Sequence, residues 1–144
     1  MDFFNVINNW QRLLLVGVLL LAGCDKPMPN LDLKPEVNKL FTALQAKDFD
    51  TMLPMYSDKF YKSIPKEQWR MKLQQFMNYM GPMESYRITH TQADTKFSGK
   101  FFVFLLDTRH EGKKKAKHVV TFILPVDGGD VILVGHKITA KGFG

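Results

Sequence analysis

The chain has 144 residues and one cysteine, Cys24. A single thiol excludes an internal disulfide framework, an iron–sulfur cluster and a cysteine-based zinc site. A domain built this way outside the cytosol is held by its apolar core alone. Also missing are a phosphate-binding glycine loop, a nucleophile elbow, an HExxH-type pair and any cluster of metal ligands. Nothing in the sequence implies a cofactor or a metal. There is no internal repeat and no low-complexity tract. No apolar run is long: Leu13–Ala22 would extend roughly 15 Å as a helix, against a bilayer core of roughly 30 Å.

That run suits the apolar core of a signal peptide, with Arg12 and the free amine as the positive end, weakened by Asp2. Phe3, Phe4, Val6, Ile7 and Trp10 precede it, but Asn5, Asn8 and Asn9 interrupt them. Extending the apolar stretch through those amides carries a desolvation cost. An uncleaved anchor is the alternative.

The run closes on Leu20-Leu21-Ala22-Gly23-Cys24. This resembles the lipobox of bacterial lipoproteins: a leucine, two small residues and an invariant cysteine. The resemblance implies that Cys24 takes a diacylglyceryl group, that residues 1–23 are removed and that the freed amine is acylated. One acyl chain holds a protein only marginally, whereas three anchor it stably. Residues 24–34, with Pro27 and Pro29, read as a tether reaching at most ~35 Å. In enterobacterial lipoproteins an aspartate after the lipidated cysteine disfavours export to the outer membrane. Asp25 stands there, so the resemblance favours the periplasmic face of the inner membrane. Lys26 is not among the residues that strengthen retention.

Residues 35–144 suffice for one domain with a buried core. The 12 phenylalanines predict an aromatic-rich interior. The formal net charge is +6, and because Asp2 and Arg12 cancel, the mature part keeps that surplus. The sign suits anionic lipid, an acidic polymer or an acidic envelope protein. Nucleic acid is not expected beside a lipid-anchored extracytoplasmic domain.

Val37, Leu40, Phe41 and Leu44 recur at helical spacing after Pro35, with Asp32 as a nearby cap. Asp48 or Asp50 caps a short second helix carrying Met52, Leu53, Met55 and Tyr56, with Pro54 in its first turn. A third helix runs from Pro65 to the stop pair Gly81-Pro82, burying Trp69, Leu73, Phe76, Met77 and Met80. The period then becomes two. A first strand covers 84–97, with Tyr86, Ile88 and His90 on one face and a bend expected near Ala93-Asp94. Ser98-Gly99 makes a tight turn. Phe101–Leu106 reads as a central strand, Glu111–Lys117 as a loop, His118–Val126 as the third strand and Val131–Thr139 as the last. Gly135 marks a bulge or a close backbone approach in that strand. The expectation is an α+β fold, three N-terminal helices on a curved four-stranded antiparallel sheet.

The stretch Leu40-Phe41-Thr42-Ala43-Leu44-Gln45-Ala46-Lys47-Asp48-Phe49, then Ser63-Ile64-Pro65-Lys66-Glu67-Gln68-Trp69, then Met80-Gly81-Pro82-Met83, resembles the nuclear-transport-factor-2-like, or cystatin-like, superfamily of cone-shaped domains. Within it the chain looks like an uncharacterised bacterial exported family. The resemblance covers nearly all of 35–140, through packing and capping signals. It implies a fold and no assigned reaction.

Strand parity sets His90 with Tyr86 and Ile88, and His136 with Ile132, Val134 and Ile138. Two histidines facing into the cone would bind a ligand or serve as a base, or else be half-buried partners in the sheet. Asp107, with Arg109 on the same face, is either an acid–base partner for them or one half of a strand-end salt bridge. Lys113, Lys114, Lys115 and Lys117 form the densest charge cluster, read as a hairpin tip that contacts anionic lipid or an acidic partner, or is simply solvated. His110 and His118 complete the set of four histidines. The leading reading is a non-enzymatic, periplasm-facing binding or assembly module. The alternatives are a small-molecule-binding protein or an isomerase- or dehydratase-like enzyme using the cone, and a subunit of an inner-membrane secretion assembly.

Overall fold

Pro35 lies in the first turn of α1 (Lys34–Gln45), where its missing N–H costs nothing, and Leu33 holds the cap position. The structure, a computed structural model, describes residues 31–144. Cys24, the leader and the tether up to residue 30 lie outside the described residues. Residues 33–144 form one compact unit. The expected stripe of α1 is buried: Val37, Leu40, Phe41 and Leu44, joined by Ala43.

Helix α2 (Phe49–Met52) is capped by Asp48, whose carboxylate accepts from Thr51 N at 3.2 Å and Thr51 Oγ1 at 2.6 Å. A 3-10 turn, Leu53–Met55, follows and contains Pro54. The chain then breaks at Tyr56, which is extended, and restarts as α3 (Asp58–Ser63). Among the described residues the helical layer thus holds four α-helices rather than the expected three. The cause is local: Ser57 N and Oγ both donate to Leu133 O, at 3.0 and 2.7 Å, which draws this segment onto the last strand. Ser57 Oγ also accepts from Phe60 N at 3.3 Å and caps α3.

Helix α4 (Lys66–Met80) buries Trp69, Leu73, Phe76, Met77 and Met80, as its period predicts. It stops at Gly81, whose φ of 78° suits a residue without a Cβ. Among the described residues, no helix is long and apolar enough to cross a membrane.

Four antiparallel strands follow in the order of the chain: β1 (Met83–Lys96), β2 (Gly99–His110), β3 (Lys114–Pro125) and β4 (Ile132–Ala140). The sheet is open, and the helices precede it, so the class is α+β. Strands β2 and β3 each run four residues further toward their shared turn than the sequence pattern implies. The turn between them is only Glu111–Lys113, with Gly112 and Lys113 at positive φ. Lys114, Lys115 and Lys117 are therefore strand residues, not loop residues.

Strand β1 has two irregularities, between Met83 and Ser85 and between Ile88 and His90, and neither is at Ala93-Asp94. Ile88 pairs with Leu106 and His90 with Leu105, so Thr89 is the extra residue. Its hydroxyl donates to Leu105 O at 3.2 Å. In β4 the register shifts between Leu133 and Gly135, beside the glycine that signalled it. A Cβ on Gly135 would stand 3.3 Å from Thr121 Cβ.

Candidate functional site: a buried histidine chain

The inner face of the sheet carries an unbroken line of polar side chains beneath the helices. Tyr56 Oη lies 2.7 Å from His136 Nδ1, and His136 Nε2 lies 2.9 Å from His118 Nδ1. His118 Nε2 is 3.2 Å from Thr108 Oγ1, which is 2.9 Å from His110 Nε2. His110 Nδ1 ends the line on Gly81 O at 3.0 Å. Five side chains and one carbonyl thereby join β2, β3, β4, the break after the 3-10 turn and the C-terminal cap of α4.

Strand pairing explains the line. In β2, Leu106, Thr108 and His110 alternate inward against Asp107 and Arg109; in β3, Ala116, His118 and Val120 alternate against Lys115, Lys117 and Val119. In β4 the bulge carries His136 to the same side as Leu133, although the two differ in parity; Leu133 pairs with Phe122 and His136 with Val120. Thr108, His110 and His118 are fully buried, and His136 is partly so.

The carbonyl at one end decides where every proton goes. Gly81 O can only accept, so His110 donates from Nδ1, and its Nε2 is left to accept from Thr108. Thr108 has one hydroxyl proton, so its oxygen accepts from His118 Nε2–H. His118 Nδ1 then accepts from His136 Nε2–H, and His136 Nδ1 accepts from the Tyr56 hydroxyl. Each link has one donor and one acceptor, and all three histidines are neutral. Burial agrees: it lowers His118 far below the ordinary histidine range, helped by His136 and His110, and pushes His136 down to about 3, helped by Lys72. Burial also lowers His110, against the pull of the Gly81 carbonyl and Glu84 and with a smaller push from Lys114. Burial raises Tyr56 well beyond the ordinary phenol range, so it keeps its proton.

Aromatic rings close around the line. Phe76 meets His110 and His118 edge-on, both at 5.4 Å, and Phe41 meets His118 at 5.0 Å. Tyr56 stacks on His136 at 6.0 Å, and Trp69 meets it edge-on at 5.4 Å. Trp69 Nε1 is buried and makes no hydrogen bond of proper geometry, although it lies near enough to the Tyr56 oxygen to favour that oxygen's ionised form slightly. The interior is filled by Trp69, Phe76 and Phe41 rather than held open over the histidines. The hydrogen bonds that its ring nitrogens make among the described residues go to one another, to Thr108, to Tyr56 and to the Gly81 carbonyl, so those nitrogens do not converge on a common point. Among the described residues, no three His, Cys, Asp or Glu side chains are grouped to hold a metal.

The structure does not bring His90 or Asp107 to His136. The extra residue at Thr89 turns His90 away from Ile88's side, onto the exposed face with Leu105. His90 borders an open concavity of about 460 Å³ with Lys34, Ile88, Thr89 and Thr91. Asp107 points outward between Arg87 on β1 and Lys117 on β3, paired with both in register. Lys114 Nζ donates to Tyr79 O at 3.0 Å and sits 5.3 Å over the Tyr79 ring, which commits it to the end of α4. Thr108, His110, His118 and Tyr56 are the members that the sequence pattern did not single out. Extending the period-two reading of β2 to His110 and starting β3 at Lys114 would have placed the first three inward.

Comparison with known proteins adds the fold and nothing finer. No family model and no curated protein matches the chain. It is similar in structure to Bd1075 of Bdellovibrio bacteriovorus, with a TM-score of 0.52 and 9% identity over 76% of this chain. The match spans only 39% of that longer protein. It is also similar to a protein of Catenulispora acidiphila, with a TM-score of 0.53 and 14% identity, over 76% of this chain and 88% of that one. At these identities the likeness is one of fold.

Proposed function

We propose that this chain is a lipid-anchored, periplasm-facing module of the nuclear-transport-factor-2-like type that binds or helps assemble another component of the cell envelope, without catalysing a reaction. The observation that carries this reading is the closed interior. Its histidines hydrogen-bond to one another, to Thr108 and to Tyr56, and among the described residues the line of bonded side chains contains no carboxylate. Such an interior has no acid–base pair to offer a substrate, so the outer surface is left to do the work. The lipobox-like run ending at Cys24 supports anchorage, and Asp25 favours the inner membrane.

The test is fatty-acid labelling of the chain in a bacterial host, with intact-mass analysis of the membrane fraction, followed by crosslinking in the envelope. A lipidated chain beginning at Cys24 that crosslinks to an envelope protein or polymer supports the reading. A full-length, unlipidated chain would remove the anchor, and crosslinking to nothing would remove the module. The concavity beside His90 supports a small-molecule site, but none of Lys34, Ile88, Thr89, His90 and Thr91, which border it, is a carboxylate. Secretion-assembly membership rests on fold alone.

A further inference from the structure

The described helices pack on one face of the sheet, and among the described residues no helix covers the other face. The uncovered face has a marked charge pattern. Arg109 pairs with Lys115, Asp107 lies between Arg87 and Lys117, and Val119 pairs with Lys137. These paired positions share a face, because residues opposite one another on antiparallel strands project the same way. Arg87, Arg109, Lys115, Lys117 and Lys137 are all exposed, and Asp107 is the one carboxylate among them. Strands lie about 4.8 Å apart and alternate residues about 6.8 Å apart, so the cations spread over a patch on the order of 15 Å across. Directly beside them, Leu105 is exposed and Val103 and Val119 are half-buried on the same face.

We infer that this uncovered sheet face docks on an anionic phospholipid surface. A cation array spread over four strands with aliphatic side chains among it matches a headgroup plane, which offers many shallow negative sites and an apolar layer just beneath. A linear acidic polymer would instead favour a stripe or cleft. This deepens the proposed function, since a tether reaching at most ~35 Å keeps the folded unit beside the bilayer. The surface differs from the expected lysine loop. Arg87, Arg109 and Lys137 join it, while Lys114 is engaged with Tyr79 and Lys113 belongs to the turn.

The test uses the purified full chain and measures its partition onto phosphatidylcholine vesicles with and without about 30% phosphatidylglycerol. The leader is the same in every variant, so its contribution cancels when the ratios of the variants are compared. Arg109→Glu, Lys115→Glu, Lys117→Glu and Lys137→Glu combined is compared with Lys39→Glu, Lys59→Glu, Lys62→Glu and Lys66→Glu, the same charge change placed on helices. The sheet-face variant should lose the preference for anionic vesicles by at least about tenfold, and the helix variant far less. Lys115→Gln with Lys117→Gln gives a milder loss and covers the case where four reversals impair folding. Equal loss in both fourfold variants, or no preference for anionic vesicles in the unaltered chain, overturns the proposal. So does binding to soluble polyglutamate without binding to vesicles, which would point to an acidic polymer. The vesicle measurement does not depend on lipidation at Cys24, which the fatty-acid labelling reads separately.

Discussion

His118 Nδ1 and His136 Nε2 share one proton across 2.9 Å. A second proton on His118 Nδ1 would set two donors against each other across that link. Because the Gly81 carbonyl fixes the other end, the line has one neutral filling. A chain of this kind is rigid in its demands, and each member's loss strands a neighbour.

Thr108→Val tests that dependence with almost no change in shape. The methyl leaves His118 Nε2–H without an acceptor and His110 Nε2 without a donor, both out of reach of water. An unmet buried group costs roughly 1–3 kcal/mol, so the variant should lose about 2–4 kcal/mol. Urea unfolding measures it. A loss under about 0.5 kcal/mol would mean that the threonine is not the link between the two rings.

The same line predicts how stability follows pH. The folded state holds His110, His118 and His136 below the ordinary value of 6.5, and the unfolded chain does not. Below pH 6.5 the unfolded state therefore binds more protons, and stability falls as pH falls. For His136 the loss continues down to about pH 3. The groups facing the rings are Tyr56 and Lys72 at His136, and Glu84 and Lys114 at His110. The Gly81 carbonyl and Glu84 favour a charged His110, whereas Lys114 at His110 and Lys72 at His136 oppose a charge. Each histidine adds a slope of up to about 1.4 kcal/mol per pH unit. Urea midpoints at a series of pH values from neutral to mildly acidic should drop steadily. His136→Phe should flatten the profile, and a level profile in the unaltered chain would show that the rings are not held neutral.

Much of the fold was legible because it rests on short-range patterns. The stripe of α4 from Trp69 to Met80 and its stop at Gly81 were readable from spacing alone, whereas spacing left the cap of α2 between Asp48 and Asp50 and the structure gives it to Asp48. The site was legible only in part, because two single-residue bulges decide which histidines meet. A bulge reverses parity for every residue beyond it, and ordinary strand residues give no sign of one. Here Ile88-Thr89-His90 carries no glycine or proline. Gly135 did mark the bulge in β4. Tyr56 was invisible for another reason: its bond to His136 spans 80 residues of sequence and depends on Ser57 capturing Leu133 O.

Opposite outcomes are expected for two histidines. His90→Ala removes an exposed ring and should change stability by no more than about 0.5 kcal/mol. His118→Ala empties a site packed by Phe41 and Phe76 and breaks two links of the line. It should cost about 3–5 kcal/mol. Similar losses in the two variants would contradict the placement of these rings on opposite faces.

The last expectation concerns the turn between β1 and β2, where only glycine fits. Gly99 has a φ of 143°, and a Cβ there would stand 2.1 Å from the Leu124 carbonyl oxygen. That oxygen is backbone in the paired strand β3, so it cannot swing aside as a side-chain tip would. Gly99→Ala must therefore shift the β2–β3 ladder at its end or force the hairpin open. Loss of a strained backbone position costs of order 1–3 kcal/mol, and the clash adds to it. Thermal unfolding should show a clearly lower midpoint for Gly99→Ala. Gly128→Ala, at a φ of 89° with no atom within 4 Å of its Cβ, isolates the cost of the backbone angle alone. If the two variants unfold together, the contact with Leu124 contributes nothing, and the hairpin is looser than the paired register from Lys96–Gly99 onward implies.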